Sequence, residues 1–97
     1  TFYPPSAPII VNFSVMTTGQ VTVDIYNIAF EKVRSLFNDI ASASPNPNQA
    51  ILYSGNSDPR LRWDGTADDG HAVSSGTYLI YIQGPGYNEI KKVNLLR

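Results

Sequence analysis

One short stretch holds most of the side chains that could do chemistry. Asp64, Asp68 and Asp69 precede His71, the only histidine, and serines follow at positions 74 and 75. Asp, His and Ser are the residue types of a hydrolytic triad. Here, however, all of them would lie in one short loop, and no G-x-S-x-G motif precedes a helix. We therefore interpret His71 as a solvated loop histidine and predict that the chain is not an enzyme.

The same three aspartates are candidates for a calcium site, because hard cations prefer clustered carboxylates. Their D-x-x-x-D-D-G spacing does not match the EF-hand loop, whose final Glu position would fall on Ser75. The residue types also suit an Asx turn, in which Asp64 accepts hydrogen bonds from the backbone N–H groups that follow it. We favour the turn and predict no metal or cofactor, with calcium at Asp64, Asp68 and Asp69 as the alternative.

Composition argues against several other classes of function. The chain has 97 residues, and seven Lys and Arg against eight Asp and Glu give a net charge of −1. A nucleic-acid partner would require a basic excess. The absence of cysteine excludes disulfides, thiolate metal sites and cysteine nucleophiles. No apolar run approaches the roughly 18 residues of a membrane-spanning helix.

The apolar pattern predicts a single all-β domain over residues 9–97. Residues 1–8 hold three prolines and are predicted to be an extended lead-in rather than a paired strand. A long inserted loop is expected at about 38–59, with 50–53 as a short strand or apolar anchor. The turn-bounded, alternating runs indicate an antiparallel two-sheet β-sandwich of about seven strands. The predicted strands cover 9–15, 21–28, 31–37, 60–63, 77–83 and 88–96.

Two of these strands leave alternatives open. Residues 31–37 alternate weakly, so a short helix over 29–38 competes with the strand that we favour. In the last strand, Val93 and Leu95 fall in one phase and Ile90 and Leu96 in the other, and a β-bulge would reconcile them.

Residues 63–78 carry the most specific pattern. The string is WDGTADDGHAVSSGTY. Its defining residues are Trp63, Asp64, Gly65, Thr66, Asp68, Asp69 and Gly70, then Val73, Gly76, Thr77 and Tyr78. It resembles the W-D-G-x-D-x-x-G-x-x-V-x-x-G-x-Y signature of the Ig-like domain family typified by the flagellar hook-capping protein FlgD. The strand from Val21 to Asn27 and the closing residues 90–97 match that family less specifically. The second aspartate of the signature is shifted, and the 38–59 insertion is long for the family.

The resemblance implies an Ig-like or fibronectin-III-like sandwich without catalytic activity. Such domains are assembly parts of the flagellar hook cap, and they occur at the C-termini of secreted bacterial hydrolases and surface proteins. Related C-terminal domains are sorting signals for type IX secretion. We therefore expect an extracellular or cell-surface bacterial module, a part of a longer exported precursor, that acts as spacer, interaction domain or C-terminal anchor. Hook-cap assembly and glycan binding as a hydrolase accessory are the alternatives.

The signature residues also have an architectural interpretation. Trp63 would bury the largest apolar surface in the chain, of order 200 Å². Tyr78 is expected to pack beside Trp63 while its hydroxyl reaches a loop. Gly65, Gly70 and Gly76 are expected where a Cβ would clash.

The remaining candidates are interaction residues. Tyr3, Tyr53 and Tyr87 fall in predicted loops or strand ends, and sugar recognition would require such aromatics to be exposed in a line. Lys91, Lys92 and Arg97 form a small basic end. That end is either a recognition tail or edge-strand charge that blocks aggregation.

Overall fold

The computed structural model describes residues 2–3 and 8–96, which form nine strands and one short 3-10 helix. The predicted all-β class is confirmed, and strand rather than helix is correct for the segment after residue 31. The 3-10 helix (Pro59–Leu61) lies between β6 and β7. The strands are β1 (Phe2–Tyr3), β2 (Ile9–Ile10), β3 (Asn12–Val15), β4 (Gly19–Asn27), β5 (Lys32–Ala41), β6 (Ile51–Ser54), β7 (Arg62–Trp63), β8 (Gly76–Gly84) and β9 (Tyr87–Leu95).

Five strands form the main sheet, in the order β1-β9-β8-β4-β5. All neighbours in it are antiparallel except β1, which runs parallel to β9. Strand β8 lies at the centre, as its apolar sequence predicts. Because successive side chains point to opposite faces, one face of the sheet collects the core residues. They are Val21, Val23, Ile25, Phe37, Ala41, Tyr78, Ile80, Ile82, Val93 and Leu95.

The second layer consists of two short antiparallel pairs, β2 with β7 and β3 with β6. Ile9, Val11, Phe13 and Val15, predicted to share one face, are all buried in the common core. At Val11 the N–H donates to the Leu61 carbonyl oxygen (2.9 Å), and the carbonyl oxygen accepts from Gly55 N–H (3.0 Å). The chain therefore changes partner at Val11, from β7 to β6, and the two layers form the predicted sandwich.

Strand β5 shows why the alternation over residues 31–37 is weak. Its register with β4 shifts twice, so that Val33 and Leu36 have no partner residue on β4. Each extra residue of a β-bulge reverses the face on which later side chains fall. An alternation counted in one phase could therefore match only part of the strand.

The structure corrects two boundaries. Phe2 and Tyr3 form a paired strand, opposite Asn94 and Leu95, so the lead-in is not wholly unpaired. Pairing is possible there because these two residues precede the prolines and keep their backbone N–H groups; residues 4–7 lie outside the described part. Strand β5 continues to Ala41, so the irregular segment begins after Ala41 rather than at residue 38.

Two other expectations are also wrong in detail. Of the strand predicted over 60–63, only β7 forms, because residues 59–61 are a 3-10 helix that Asp58 caps by accepting a hydrogen bond from Arg60 N–H (3.0 Å). The bulge that would have reconciled the two phases of the last strand is absent, since β9 pairs with β8 without a shift from Tyr87 to Leu95. Ile90 is simply on the outer face of the sheet, 52% exposed.

The inserted segment is fixed to the sandwich by β6, the predicted short strand. The Tyr53 ring stacks on Phe13 with centroids 5.2 Å apart, and its hydroxyl oxygen accepts a hydrogen bond from Ser42 N–H (2.9 Å). Gly55 follows β6 at a close backbone approach, where a Cβ would lie 2.2 Å from the Leu61 carbonyl oxygen. Only glycine fits this position without displacing the backbone.

Candidate functional site

The centre of the 63–78 signature is a buried aromatic pair. Trp63, at the end of β7, is 1% exposed, and its ring meets Tyr78 edge to face with centroids 5.1 Å apart. Trp63 Nε1–H donates to the Thr66 carbonyl oxygen (2.8 Å), and the Tyr78 hydroxyl donates to the Ser74 carbonyl oxygen (2.7 Å). The predicted burial of Trp63, its packing against Tyr78 and the reach of the tyrosine hydroxyl to a loop are confirmed.

The loop between these aromatics closes on itself. Asp64 Oδ1 accepts hydrogen bonds from the N–H (3.2 Å) and the hydroxyl of Thr66, which confirms the Asx turn. The Val73 N–H donates to the Gly65 carbonyl oxygen (2.9 Å), and the Ala67 N–H donates to that of His71 (2.8 Å). These bonds make residues 64–73 a small hairpin-like loop, which we call the signature loop.

Gly65 and Gly70 serve this loop through their backbone conformation. Their φ angles are +80° and +89°, in the region that favours glycine. A Cβ built on Gly70 would meet no atom within 4 Å. The expected clash is therefore wrong at Gly70, where glycine is required by the positive φ alone. It is also wrong at Gly76, where a Cβ would likewise meet no atom within 4 Å.

The signature loop is docked on the edge of β5. Asp68 N–H donates to the Val33 carbonyl oxygen (3.1 Å), and Asp68 Oδ1 accepts from Ser35 N–H (3.0 Å). The Arg34 guanidinium donates to the Thr66 hydroxyl oxygen and to the Ala67 carbonyl oxygen (3.3 Å). The loop therefore satisfies backbone groups at an edge strand, which would otherwise be open to pairing with another chain.

The three aspartates have separate partners. The Thr66 hydroxyl and the nearby Arg34 lower the pKa of Asp64, and the backbone N–H and imidazole of His71 lower the pKa of Asp69. Asp69 Oδ2 lies 2.8 Å from His71 Nδ1, and the histidine side chain is 84% exposed. Nowhere in residues 8–96 do three metal-ligating side chains come together.

The candidate interaction residues are spread over the molecule. Tyr53 anchors the inserted segment. The Tyr87 hydroxyl is buried without a hydrogen-bond partner in the described chain, and burial, with Glu89 nearby, raises its pKa. Lys91 and Lys92 lie on opposite faces of β9, with Lys91 Nζ 3.5 Å from the Asn12 carbonyl oxygen and Lys92 exposed. The Tyr3 side chain and Arg97 lie outside the described part.

Arg34 and Arg60 make important contacts that the sequence did not reveal. Arg60 bridges Asp58 (2.9 Å) and Asp39 (3.1 Å), and its guanidinium lies 4.4 Å from the centroid of the Phe37 ring. These bonds lower the pKa of both carboxyl groups; for Asp39 the Ile40 N–H has the largest effect, and Arg60 the next. Arg60 therefore covers β5 beyond the signature loop. Neither arginine belongs to a recognisable motif, so the sequence gives no signal of such a role.

Comparison with solved structures gives a similarity in fold. The fold matches part of a solved structure, the crystal structure of dimeric latent PorU from Porphyromonas gingivalis, with a TM-score of 0.50 and 18% sequence identity. The similarity covers 93% of this chain. It spans only 9% of the PorU chain. The chain thus has the fold of a small segment of PorU.

Other comparisons add nothing to that assignment. No protein-family profile and no curated protein matches the chain, so its membership of the FlgD-type family is not confirmed. No helix in the described ranges has the length and apolar character needed to cross a bilayer. We found no pocket on the described surface.

Proposed function

We propose that this chain is a non-catalytic β-sandwich module of a longer, exported bacterial protein, and that it acts by supporting or contacting other protein parts. The internal bonding of the 63–78 segment carries this proposal. Trp63, Asp64, Asp68 and Tyr78 each have a hydrogen bond to another group of this chain. The residue types that could do chemistry therefore hold the sandwich together.

The position of His71 supports the same conclusion. A catalytic base needs a fixed place within reach of a nucleophile. His71 instead projects from the loop, largely exposed, with the exposed but less accessible Asp69 as its partner. A polar contact between two exposed side chains of this kind contributes little to stability.

The resemblance of the signature to extracellular Ig-like modules supports a location outside the cell. The PorU similarity supports a modular role, since a fold of this kind occurs as a small part of a large chain. A C-terminal anchoring or sorting role is the most specific form of the proposal, and a spacer role is the simplest.

A two-part experiment tests the proposal. The chain is first fused between two unrelated reporter proteins, where an autonomous module unfolds at the same denaturant midpoint as the isolated chain. Misfolding of the chain outside its parent would contradict this. An enzymatic turnover by the isolated chain that disappears in His71→Ala would contradict the non-catalytic role.

The sorting form has its own test. A reporter with this chain at its C-terminus is expressed in a bacterium with type IX secretion, beside the same reporter carrying an unrelated β-sandwich of similar size. Export of only the first reporter is the expected result for a sorting signal. Equal retention of both would exclude sorting and leave the spacer role.

A further inference from the structure

The outer face of the main sheet carries an apolar cluster that the core does not use. Strand register places Ile90 beside Tyr81, and Leu79 between Lys92 and Tyr26. The cluster continues into the β4–β5 turn through Ile28 and Phe30. We call these residues the outer aromatic face: Tyr26, Ile28, Phe30, Leu79, Tyr81 and Ile90.

The three aromatic rings of this face are successive neighbours, with Tyr26 between the other two. The Tyr26 centroid lies 6.2 Å from that of Tyr81 and 5.6 Å from that of Phe30. Phe30 is 58% exposed, Ile90 52% and Ile28 75%. Contiguous apolar exposure of this kind marks interaction sites more often than scattered single residues do.

Phe30 gives a second, independent indication. Its φ is +61°, and among the described residues it is the one non-glycine residue with a positive φ. The turn is held by Asn27, whose carbonyl oxygen accepts from Phe30 N–H (3.0 Å) and whose Oδ1 accepts from the N–H groups of Ala29 (2.9 Å) and Glu31 (3.0 Å). Glycine or asparagine would adopt this conformation with less strain. A strained, exposed phenylalanine in a rigid turn points to a role in contact rather than in folding.

The charges around the face favour one kind of partner. Asp24 carries a carboxylate on this face, but the residue is only 9% exposed, and its Oδ1 lies 3.8 Å from Lys32 Nζ. The exposed Glu31 of the adjoining turn accepts a hydrogen bond from Asn27 Nδ2. On the strands of this face the accessible charges are those of Lys32 and Lys92. These two lysines lie at the two ends of one cross-strand row, about 14 Å apart at the usual strand spacing. The face therefore has a positive charge on each side, although the net charge of the whole chain is −1.

We infer that the outer aromatic face docks a protein partner that presents an apolar patch flanked by carboxylates. The inference rests on the proposed function, because it names the surface through which such a module makes contact. A second copy of the chain fits less well, since a symmetric face-to-face pair would bring lysine-flanked surfaces together. A glycan also fits less well, because the neighbouring rings are tilted by 43° and 55° and the exposed isoleucines offer a sugar no hydrogen bonds.

The test uses the whole 97-residue chain and a displayed library of random short peptides as the probe. Selected peptides are synthesised and titrated against the unsubstituted chain, Phe30→Asn, Lys92→Glu and the control Leu52→Asn. Asparagine tolerates a positive φ, so Phe30→Asn keeps the fold, which the denaturation midpoint verifies. Leu52, 65% exposed on β6 in the other layer, is a matched apolar control.

The expected peptides have an apolar centre with Asp or Glu on either side. Loss of a central aromatic contact weakens their binding at least about tenfold in Phe30→Asn. Lys92→Glu weakens it several-fold, and Leu52→Asn leaves it unchanged. Failure to select peptides, or equal binding to folded Phe30→Asn, would overturn the inference.

Two other outcomes would assign the outer aromatic face to a different kind of partner. Dimerisation of the chain that Phe30→Asn abolishes would assign the face to a second copy. Binding to a glycan array that depends on Phe30 would assign it to sugars. None of these results depends on the reporter fusions or on His71→Ala, so failure of this inference is distinguishable from failure of the proposed function.

Discussion

Removal of the Trp63 side chain is the most severe single test of the signature as architecture. The residue is 1% exposed, touches Tyr78 edge to face and donates to the Thr66 carbonyl oxygen. Truncation of a buried tryptophan to alanine costs about 3–5 kcal/mol, because both the apolar contacts and the filled volume are lost. A domain of this size has roughly 5–15 kcal/mol of stability in total. Trp63→Ala therefore removes from about a fifth to all of this stability.

Urea unfolding followed by circular dichroism measures this loss, since the variant lacks the chain's only tryptophan and cannot be followed by its fluorescence. The matched control is Trp63→Phe, which keeps an aromatic ring but loses the hydrogen bond to Thr66, and we expect it to lose about 1–2 kcal/mol. A free energy of unfolding for Trp63→Ala within about 0.5 kcal/mol of the original would refute the reasoning and identify Trp63 as a surface residue.

Three further predictions concern other positions. Tyr87→Phe is expected to be neutral or to stabilise by up to about 1 kcal/mol, because it removes a buried hydroxyl without a partner in the described chain. Burial raises the pKa of the folded Tyr87 hydroxyl above its usual value of 10.0, so this group leaves the free energy of unfolding unchanged with pH below 10 and lowers it as the pH rises through the higher folded value. The difference between the urea midpoints at about pH 8 and about pH 11 is therefore expected to be smaller for Tyr87→Phe than for the original chain. Gly55→Ala is expected to cost about 2–3 kcal/mol in urea unfolding, since its Cβ would press on the Leu61 carbonyl oxygen, whereas Gly70→Ala costs only about 1 kcal/mol for its positive φ. Millimolar calcium or a chelator should leave the melting temperature unchanged; a clear rise with calcium would reverse our view of the signature loop.

Much of the fold follows from local pattern alone. The 9–15 run predicts its buried face correctly because strand alternation has a fixed period. The break at Val11 could not be predicted, because it depends on Leu61 and Gly55, which are far away in the sequence. The bulges of β5 were missed for a related reason, since the shifts are set by pairing with β4.

The candidate site divides in the same way. The Asx turn at Asp64 and the Trp63–Tyr78 pair follow from residue types over a short span. The docking of the signature loop on β5 does not, because it joins Asp68 to Ser35 and Arg34 to Thr66 across more than thirty positions. The exposed side chains around Phe30 could not be predicted from the sequence either. The residues of the turn do not reveal that Phe30 has a positive φ.

The central claim is that the polar residues of the signature loop are structural bonding groups. Asp68 tests it most directly, because its Oδ1 accepts a hydrogen bond from the Ser35 backbone N–H. Hydrogen exchange of that one amide can be followed in the original chain, in Asp68→Asn and in Asp68→Ala. We predict slow exchange in the first two, since asparagine retains the acceptor oxygen, and clearly faster exchange in Asp68→Ala. Equal exchange in all three would contradict the claim and leave the carboxylate free for another role.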